Sequence, residues 1–220
     1  MKGVFITGTD TGVGKTYFTA FWTRSLRQAG LPALPLKPIS SGDRSDAKAL
    51  FEAAEGTMSL DEINPIHFQP ALAPWVACKL NQQDFPKERL RRHINHLQSK
   101  HSGPFLVEGV GGWRVPLDRD YGVREWAQEL NLPVILVARA GLGTLNHVLL
   151  TVDSIRQAQL PVLGIIVNLY QATDDEASRT NPKIIEELTG LPVFLLSPQA
   201  QFTTRLPSWL CPKDEGPGTT

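Results

Sequence analysis

Short, continuous apolar runs punctuate the chain at Val4–Thr7, Ala33–Leu36, Phe105–Val107, Pro133–Ala138, Val162–Val167 and Pro192–Leu196. None shows the strict alternation of a half-exposed strand, so each reads as a strand buried on both faces. Between them lie stretches at helical spacing, which predict helices over Lys15–Ala29, Asp46–Glu55, Pro86–Lys100, Val123–Leu130, Leu145–Gln159 and Asp174–Thr189. Gly30 and Gly190 stand where helix-ending glycines belong, and Asp174-Asp175-Glu176 is an acidic start suited to a helix dipole. Strand–helix alternation of this kind predicts an α/β fold, a mostly parallel sheet covered by helices on both faces.

Two regions break the rhythm. Residues 56–85, rich in proline and polar residues, read as an irregular excursion at the carboxyl edge of the sheet. Residues 211–220 read as a flexible tail. With no internal repeat and no dividing linker, residues 1–210 are expected to form one domain.

Composition narrows the class without naming a chemistry. Of 220 residues, 41% are hydrophobic, too many for a disordered chain, and 22 basic residues balance 22 acidic ones. That balance argues against a dedicated nucleic-acid binder. Cys78 and Cys211 lie far apart, which excludes a disulfide scaffold and a cysteine zinc site and fits a reducing compartment. No signal-peptide pattern follows Lys2, and the apolar runs fall far short of the ~20 residues a spanning helix needs. A cytoplasmic protein without membrane partners is expected.

The strongest chemical signal is Gly8-Thr9-Asp10-Thr11-Gly12-Val13-Gly14-Lys15-Thr16, between the first strand and the first helix. A loop in that place aims backbone N–H groups and the positive end of a helix at a polyphosphate. Lys15 would reach the terminal phosphates, and the Thr16 hydroxyl could ligate Mg²⁺. The spacing is displaced, because the usual first glycine falls on Thr9 and Gly8 comes one residue early. A mere glycine-rich turn would not need Gly-Lys-Thr at the start of a long helix. A fold of the phosphate-loop NTPase type, binding a nucleoside triphosphate, is predicted.

Phe105-Leu106-Val107-Glu108 ends a strand in a carboxylate, followed by Gly109-Val110-Gly111-Gly112. An acid in that place holds Mg²⁺ directly or through water, and the glycines clear the space above it. Asp46 is a second magnesium candidate, with a first-turn helix acid as its plainer reading. Lys37 closes the second strand before Pro38 and should point into the crevice that Lys15 faces. Two lysines there imply an anionic reacting group beyond the nucleotide phosphates.

These residues resemble the dethiobiotin synthetases. The marks are the displaced loop at 8–16, Lys37-Pro38 with Ser41, and Val-Glu-Gly-x-Gly-Gly-Trp at 107–113. Further similar segments are 132–137, 142–147 and Val167-Asn168, so the likeness spans most of residues 3–170. The resemblance implies an ATP- and Mg²⁺-dependent ring closure. The diamine 7,8-diaminononanoate takes up CO₂ as a carbamate, ATP phosphorylates it, and the second amine closes the cyclic urea. It implies that Thr11 and Lys37 contact the diamine or carbamate, Ser41 the substrate, and Lys15 both phosphates and carbamate. It assigns Mg²⁺ to Thr16, Asp46 and Glu108. Nucleotide contacts fall on Gly12, Val13, Gly14, Lys15, Thr16, Tyr17, Asp46, Glu108, Gly109, Val110, Gly111 and Asn168, with Asn168 at the adenine. It also implies a homodimer in which Gly143, Thr144, Leu145 and Asn146 of one subunit receive the distal carboxylate of the substrate bound by the other.

The chain departs from that pattern in places. Position 12 is Gly where many such proteins have Glu, and Trp75 stands where His is common. The turn that frames the base in the family appears only as Leu196-Ser197-Pro198-Gln199. Two other classes share the loop. A partition-type regulatory ATPase places a lysine near its start, where this chain has Thr9-Asp10, and an amide-forming synthase carries a fused glutamine-hydrolysing domain for which 220 residues leave no room. His67, His93, His96, His101 and His147 form no ligand pattern. His93 and His96, with Arg89, Arg91, Arg92 and Lys100, read as a solvated basic helix face. Trp22, Trp75, Trp113, Trp126 and Trp209 read as core or interface residues.

Overall fold

The computed structural model describes residues 2–170, 175–198 and 207–210. The expected tail at 211–220, the helix start at Asp174, Gln199 and Cys211 lie outside these. The first half of the chain runs β1 (Gly3–Gly8), α1 (Lys15–Gln28), β2 (Leu34–Leu36), β3 (Ile39–Ser41), α2 (Ser45–Ala53), α3 (Leu60–Ile63), β4 (Ile66–Phe68), α4 (Pro74–Leu80) and α5 (Lys87–Lys100). It continues as β5 (Phe105–Glu108), β6 (Pro116–Asp118), β7 (Tyr121–Gly122), α6 (Val123–Leu130), β8 (Val134–Arg139), α7 (Thr144–Gln157), β9 (Val162–Asn168), α8 (Glu176–Thr189) and β10 (Val193–Leu196). A 3₁₀ turn, Ser208–Leu210, follows.

The predicted strands form one parallel sheet in the order β10-β9-β8-β1-β5-β2. Alternate residues of a strand serve opposite faces. In β1, Phe5 joins a cluster with Leu90, Leu97 and Trp126 from α5 and α6. Its neighbour Ile6 packs with Phe18, Phe21, Trp22 and Leu26 of α1 on the other face. Leu136 and Ala138 of β8 meet Val148 and Val152 of α7 and Ile185 of α8. The apolar runs are continuous because helices cover both faces. At the sheet edge the pattern gives out: Leu195 of β10 is exposed, so β10 is not buried on both faces as its sequence suggests.

The helix ends follow local chemistry. Gly30 just past α1 and Gly190 at the end of α8 take positive φ (84° and 67°), and Asp175 caps α8 by accepting from Ser178 N–H. The excursion at 56–85 is more ordered than expected. It holds α3, started by a Ser59–Glu62 capping box, then β4 and α4. β4 pairs in parallel with the unpredicted β3, and β6 with β7 as a short antiparallel pair. Three-residue strands beside prolines carry too little periodicity to read from sequence. The basic face of α5 is laced to acids rather than simply solvated, by Arg91–Glu129, Lys87–Glu129 and Lys100–Glu62 pairs. His93 Nε2 meets the Glu62 carbonyl.

The 3₁₀ turn closes the α1 face. Trp22 Nε1 donates to Leu210 O, and the Trp209 ring lies over Gly164 of β9. A Cβ at Gly164 would fall 2.6 Å from that ring and 2.9 Å from Pro192 O. Gly164→Ala is therefore expected to destabilise the protein by about 1–3 kcal/mol, as overpacking does. Urea unfolding measures this, and a Gly164→Ala midpoint at or above the parent value would contradict the packing.

Candidate active site

β1, β5 and β2 lie side by side, and their carboxyl ends deliver the chemistry. Register pairs Ile6 with Glu108 and Leu36 with Val107, so Lys37 comes level with Glu108. The phosphate loop leaves β1 at Gly8 and enters α1 through Gly14, in the left-handed region at φ 94°. Glycine is required at 14 because a Cβ would fall 1.9 Å from Asn168 Nδ2. That Nδ2 donates to Val13 O (3.1 Å), and Asn168 Oδ1 accepts from Tyr170 N. Asn168 thus clamps the loop to the end of β9. Gly111 answers the same need opposite, where a Cβ would come 3.4 Å from Thr11 Oγ1 and 2.6 Å from Val115.

Lys15 is buried and donates to Asp10 O (2.9 Å), within the loop. Burial, aided by the neighbouring Lys37 charge, brings its ammonium down to about 8. Lys37 is also buried, 3% exposed, and its ammonium bridges Glu108 Oε1 (2.5 Å) and Asp46 Oδ2 (2.9 Å). Burial would lower it too, but the Glu108 and Asp46 carboxylates outweigh that and hold it above the ordinary lysine value. Asp46, although partly desolvated, is held below the usual carboxylate range by Lys37. Thr16 Oγ1 donates to Glu108 Oε1 (2.7 Å). So the two acids expected to face a metal face Lys37 as well, because a buried ammonium needs a partner.

Thr16, Asp46 and Glu108 fit a magnesium ion. Two carboxylates and a hydroxyl are the hard oxygen donors it takes, and Glu108 Oε2 is buried with no hydrogen-bond partner. No group of three or more His, Cys, Asp or Glu suited to a metal occurs among the described residues. A cation that keeps waters and phosphate oxygens does not need one.

A cavity of about 410 Å³ opens over this cluster, lined by Thr11, Gly12, Gly14, Lys15, Thr16, Lys37, Ser41, Asp46, Val110 and Gly111 among the expected residues. The buried Ser41 hydroxyl there has no partner. Ser40, Val115 and the segment Ala71–Pro74 also line it, none of them anticipated. The prolines of 70–74 hinted at a shaped loop, but nothing in one sequence says which wall it forms. A second cavity, about 550 Å³, lies across the phosphate loop and is lined by Gly12, Val13, Gly14, Tyr17, Arg139, Ala140, Asn168 and Tyr170. Tyr17 is fixed by its hydroxyl to Ser197 O (3.1 Å) and faces Tyr170 at 6.1 Å.

Glu108 lies beneath the first cavity rather than on its wall, and Gly109 packs against Phe5 and Val123. The segment Gly143–Asn146 begins α7 and lines neither cavity. Thr144 is buried there with its hydroxyl given to Arg139 O (2.5 Å), while Gly143 and Asn146 are exposed. No helix among the described residues is long and apolar enough to cross a membrane.

Comparison with known proteins bears on this geometry. Residues 2–203 match a family described as an AAA domain. The chain is 39% identical over 194 residues to ATP-dependent dethiobiotin synthetase BioD of Akkermansia muciniphila, covering 88% of this chain and 91% of that protein. It is 38% identical to the enzyme of that name from Bacillus subtilis strain 168, covering 93% and 90%. Among solved structures, a ParA family ATPase from Chlorobium tepidum superposes with a TM-score of 0.54 at 17% identity, covering 91% of this chain and 86% of that one. The signal recognition particle 54 kDa protein from Aeropyrum pernix, in complex with GDP, gives 0.58 at 16% identity, over 90% of this chain and 42% of that one. At such identities the structural likeness is one of fold.

Proposed function

The chain belongs to the dethiobiotin synthetase family, and from that premise we propose that it closes 7,8-diaminononanoate and CO₂ into dethiobiotin at the expense of ATP. One observation carries the reading: Lys15, Lys37 and Asp46 line a single cavity beside the phosphate loop, with Glu108 beneath it paired to Lys37. A carbamate formed on one amine of the diamine is an anion that two ammonium groups can hold. Its oxygen attacks the γ-phosphorus of ATP and ADP leaves. The second amine then attacks the carbonyl carbon of the mixed anhydride, phosphate departs with the C–O electron pair, and the cyclic urea forms. No protein nucleophile is needed; the work is positioning and charge stabilisation.

In this reading Lys37 and Thr11 hold the carbamate, and Lys15 spans it and the phosphates. The unpartnered Ser41 hydroxyl meets the diamine, and Ala71–Pro74 cover its carbon chain. Thr16, Asp46 and Glu108 hold Mg²⁺, which neutralises phosphate charge when bound. The second cavity receives the base, with Asn168 at its floor. A homodimer would bring Gly143–Asn146 of the partner to the distal carboxylate, which accounts for their distance from this chain's own cavity. The cytoplasm is the proposed compartment.

The deciding experiment measures phosphate release from Mg-ATP with and without diamine and bicarbonate, and identifies the product by mass. Turnover that ignores the diamine but rises with DNA or vesicles would replace this reading with a partition-type ATPase.

A pH dependence follows from Lys15. Triphosphate binding favours its charged form, so the bound state titrates above the free value of about 8. Below pH 8 both states are charged and affinity is flat. Above it, binding must take up a proton, and affinity is expected to fall by up to about tenfold per pH unit. Calorimetric titration in buffers of different ionisation heat reads the proton directly. Constant affinity from about pH 7 to 9.5 would contradict the assignment.

A further inference from the structure

Lys37 follows the end of β2 and Asp46 lies in the first turn of α2, and one buried side chain ties these two segments together. Asn64 follows α3 and is 2% exposed. Pro65 behind it disfavours the helical region at 64, so the chain turns there (φ −135°, ψ 75°) and α3 stops. The Asn64 amide then points among four groups. Its Nδ2 donates to Lys37 O (2.7 Å) and Ile66 O (3.3 Å). Its Oδ1 accepts from Ser40 Oγ and from Arg44 Nε, each at 3.0 Å. Arg44 also donates to Asn64 O (2.9 Å) and is the residue before α2, two positions ahead of Asp46.

Every hydrogen-bonding position of the amide is used, and only an amide supplies two donors and two acceptors on one plane. The consequence reaches the site. Asn64 fixes the backbone of Lys37 from one side and the start of the Asp46 helix from the other, and the two side chains meet at 2.9 Å. It does not line the cavity itself. We propose that Asn64 is the positioning residue of this site, setting the distance between the Lys37 ammonium and the Asp46 carboxylate without touching substrate. The inference rests on the functional reading above for its rate effect, though not for its effect on metal demand. The phosphate loop has no bond to Asn64, so the two halves of the site should respond separately to its loss.

Asn64→Asp keeps the shape and both acceptors and removes both donors. It is expected to lower kcat about 10- to 100-fold, as a misplacement near 1 Å does. The KM for ATP should stay within about twofold, since uniform binding is untouched. The Mg²⁺ concentration that half-saturates ATP binding, read by nucleotide fluorescence without turnover, should rise several-fold. Arg44→Gln breaks the same tie from the partly exposed side and should show both effects in smaller measure. It decides the matter if Asn64→Asp fails to fold.

A purely structural role predicts something else: a lower melting temperature, with kcat per nucleotide-binding site and Mg²⁺ demand unchanged. That result in either folded variant overturns the proposal, as does an equal loss of kcat and ATP affinity. If the parent protein shows no diamine-dependent turnover, the functional reading falls alone. The Mg²⁺ shift in nucleotide binding then still settles Asn64, its presence supporting the role and its absence overturning it.

Discussion

Lys37→Ala is expected to lose about 10²- to 10³-fold in kcat, the range seen when one preorganised group at a developing charge is removed. Lys37 is 3% exposed and points between Asp46 and Glu108, so no other ammonium can take its place from solvent. Lys15, the other buried cation of the cavity, is bonded to the loop at Asp10 O. ATP should bind to the variant almost as before, because the phosphate loop keeps its geometry, and the loss should therefore appear in kcat and not in KM. Stability should fall in the same variant. Glu108, 0% exposed, would keep its Thr16 bond but lose its ammonium, and breaking a buried pair from one side costs about 3–5 kcal/mol. Saturating Mg²⁺ should restore part of that stability and none of the rate. Steady-state kinetics with melting curves at low and high Mg²⁺ check both halves. Equal losses of rate and ATP affinity would show that Lys37 belongs to nucleotide binding instead.

The sheet was legible because its strands are buried twice over. A run such as Val134–Ala138 carries helices on both faces, so hydrophobicity alone marks it, and its helix partners show the longer period. Legibility failed where burial is one-sided or elements are short. β10 exposes Leu195 at the edge, and β3, β4, β6 and β7 have two or three residues each. The segment 56–85 read as irregular because Pro65, Pro70 and Pro74 broke every window, yet Pro65 sits between α3 and β4 and Pro74 begins α4.

The site was legible for a different reason. Strand ends of a parallel sheet converge on one crevice, so Lys15, Lys37 and Glu108 could be placed together from topology alone. Their mutual contacts could not. The sequence suggests lysines for anions and acids for a metal, whereas the fold pairs Lys37 with both acids, since a desolvated charge seeks its opposite before any ligand arrives. Asn64 escaped for want of any local signal. Its partners at Lys37, Ser40 and Arg44 lie 27, 24 and 20 positions away, and buried amides announce themselves only through hydrogen bonds. Tyr170, two residues past Asn168 and exposed at the second cavity, carried no pattern either.

The phosphate loop offers the sharpest structural test, because its entry into α1 depends on a glycine for two separable reasons. Gly14→Ala must hold φ near 94°, at a cost of about 1–3 kcal/mol for a residue with a side chain. It must also place a Cβ 1.9 Å from Asn168 Nδ2, which no rotamer of the loop side relieves. Asn168 would swing away, releasing Val13 O and the end of the loop. The N–H groups that should cradle the phosphates then lose their aim, and nucleotide affinity is expected to fall on the order of 100-fold or more. Removing the clash without the strain separates the causes. In Gly14→Ala/Asn168→Ala the nearest remaining contact is the Asn168 Cβ position, 3.6 Å away. The double variant should thus be less damaged than the two single effects added together, by about 0.5–3 kcal/mol of coupling in urea unfolding. Part of the lost nucleotide affinity should return with it. Strict additivity would mean that Asn168 does not press on position 14, and the clamp between β9 and the loop would have to be redrawn.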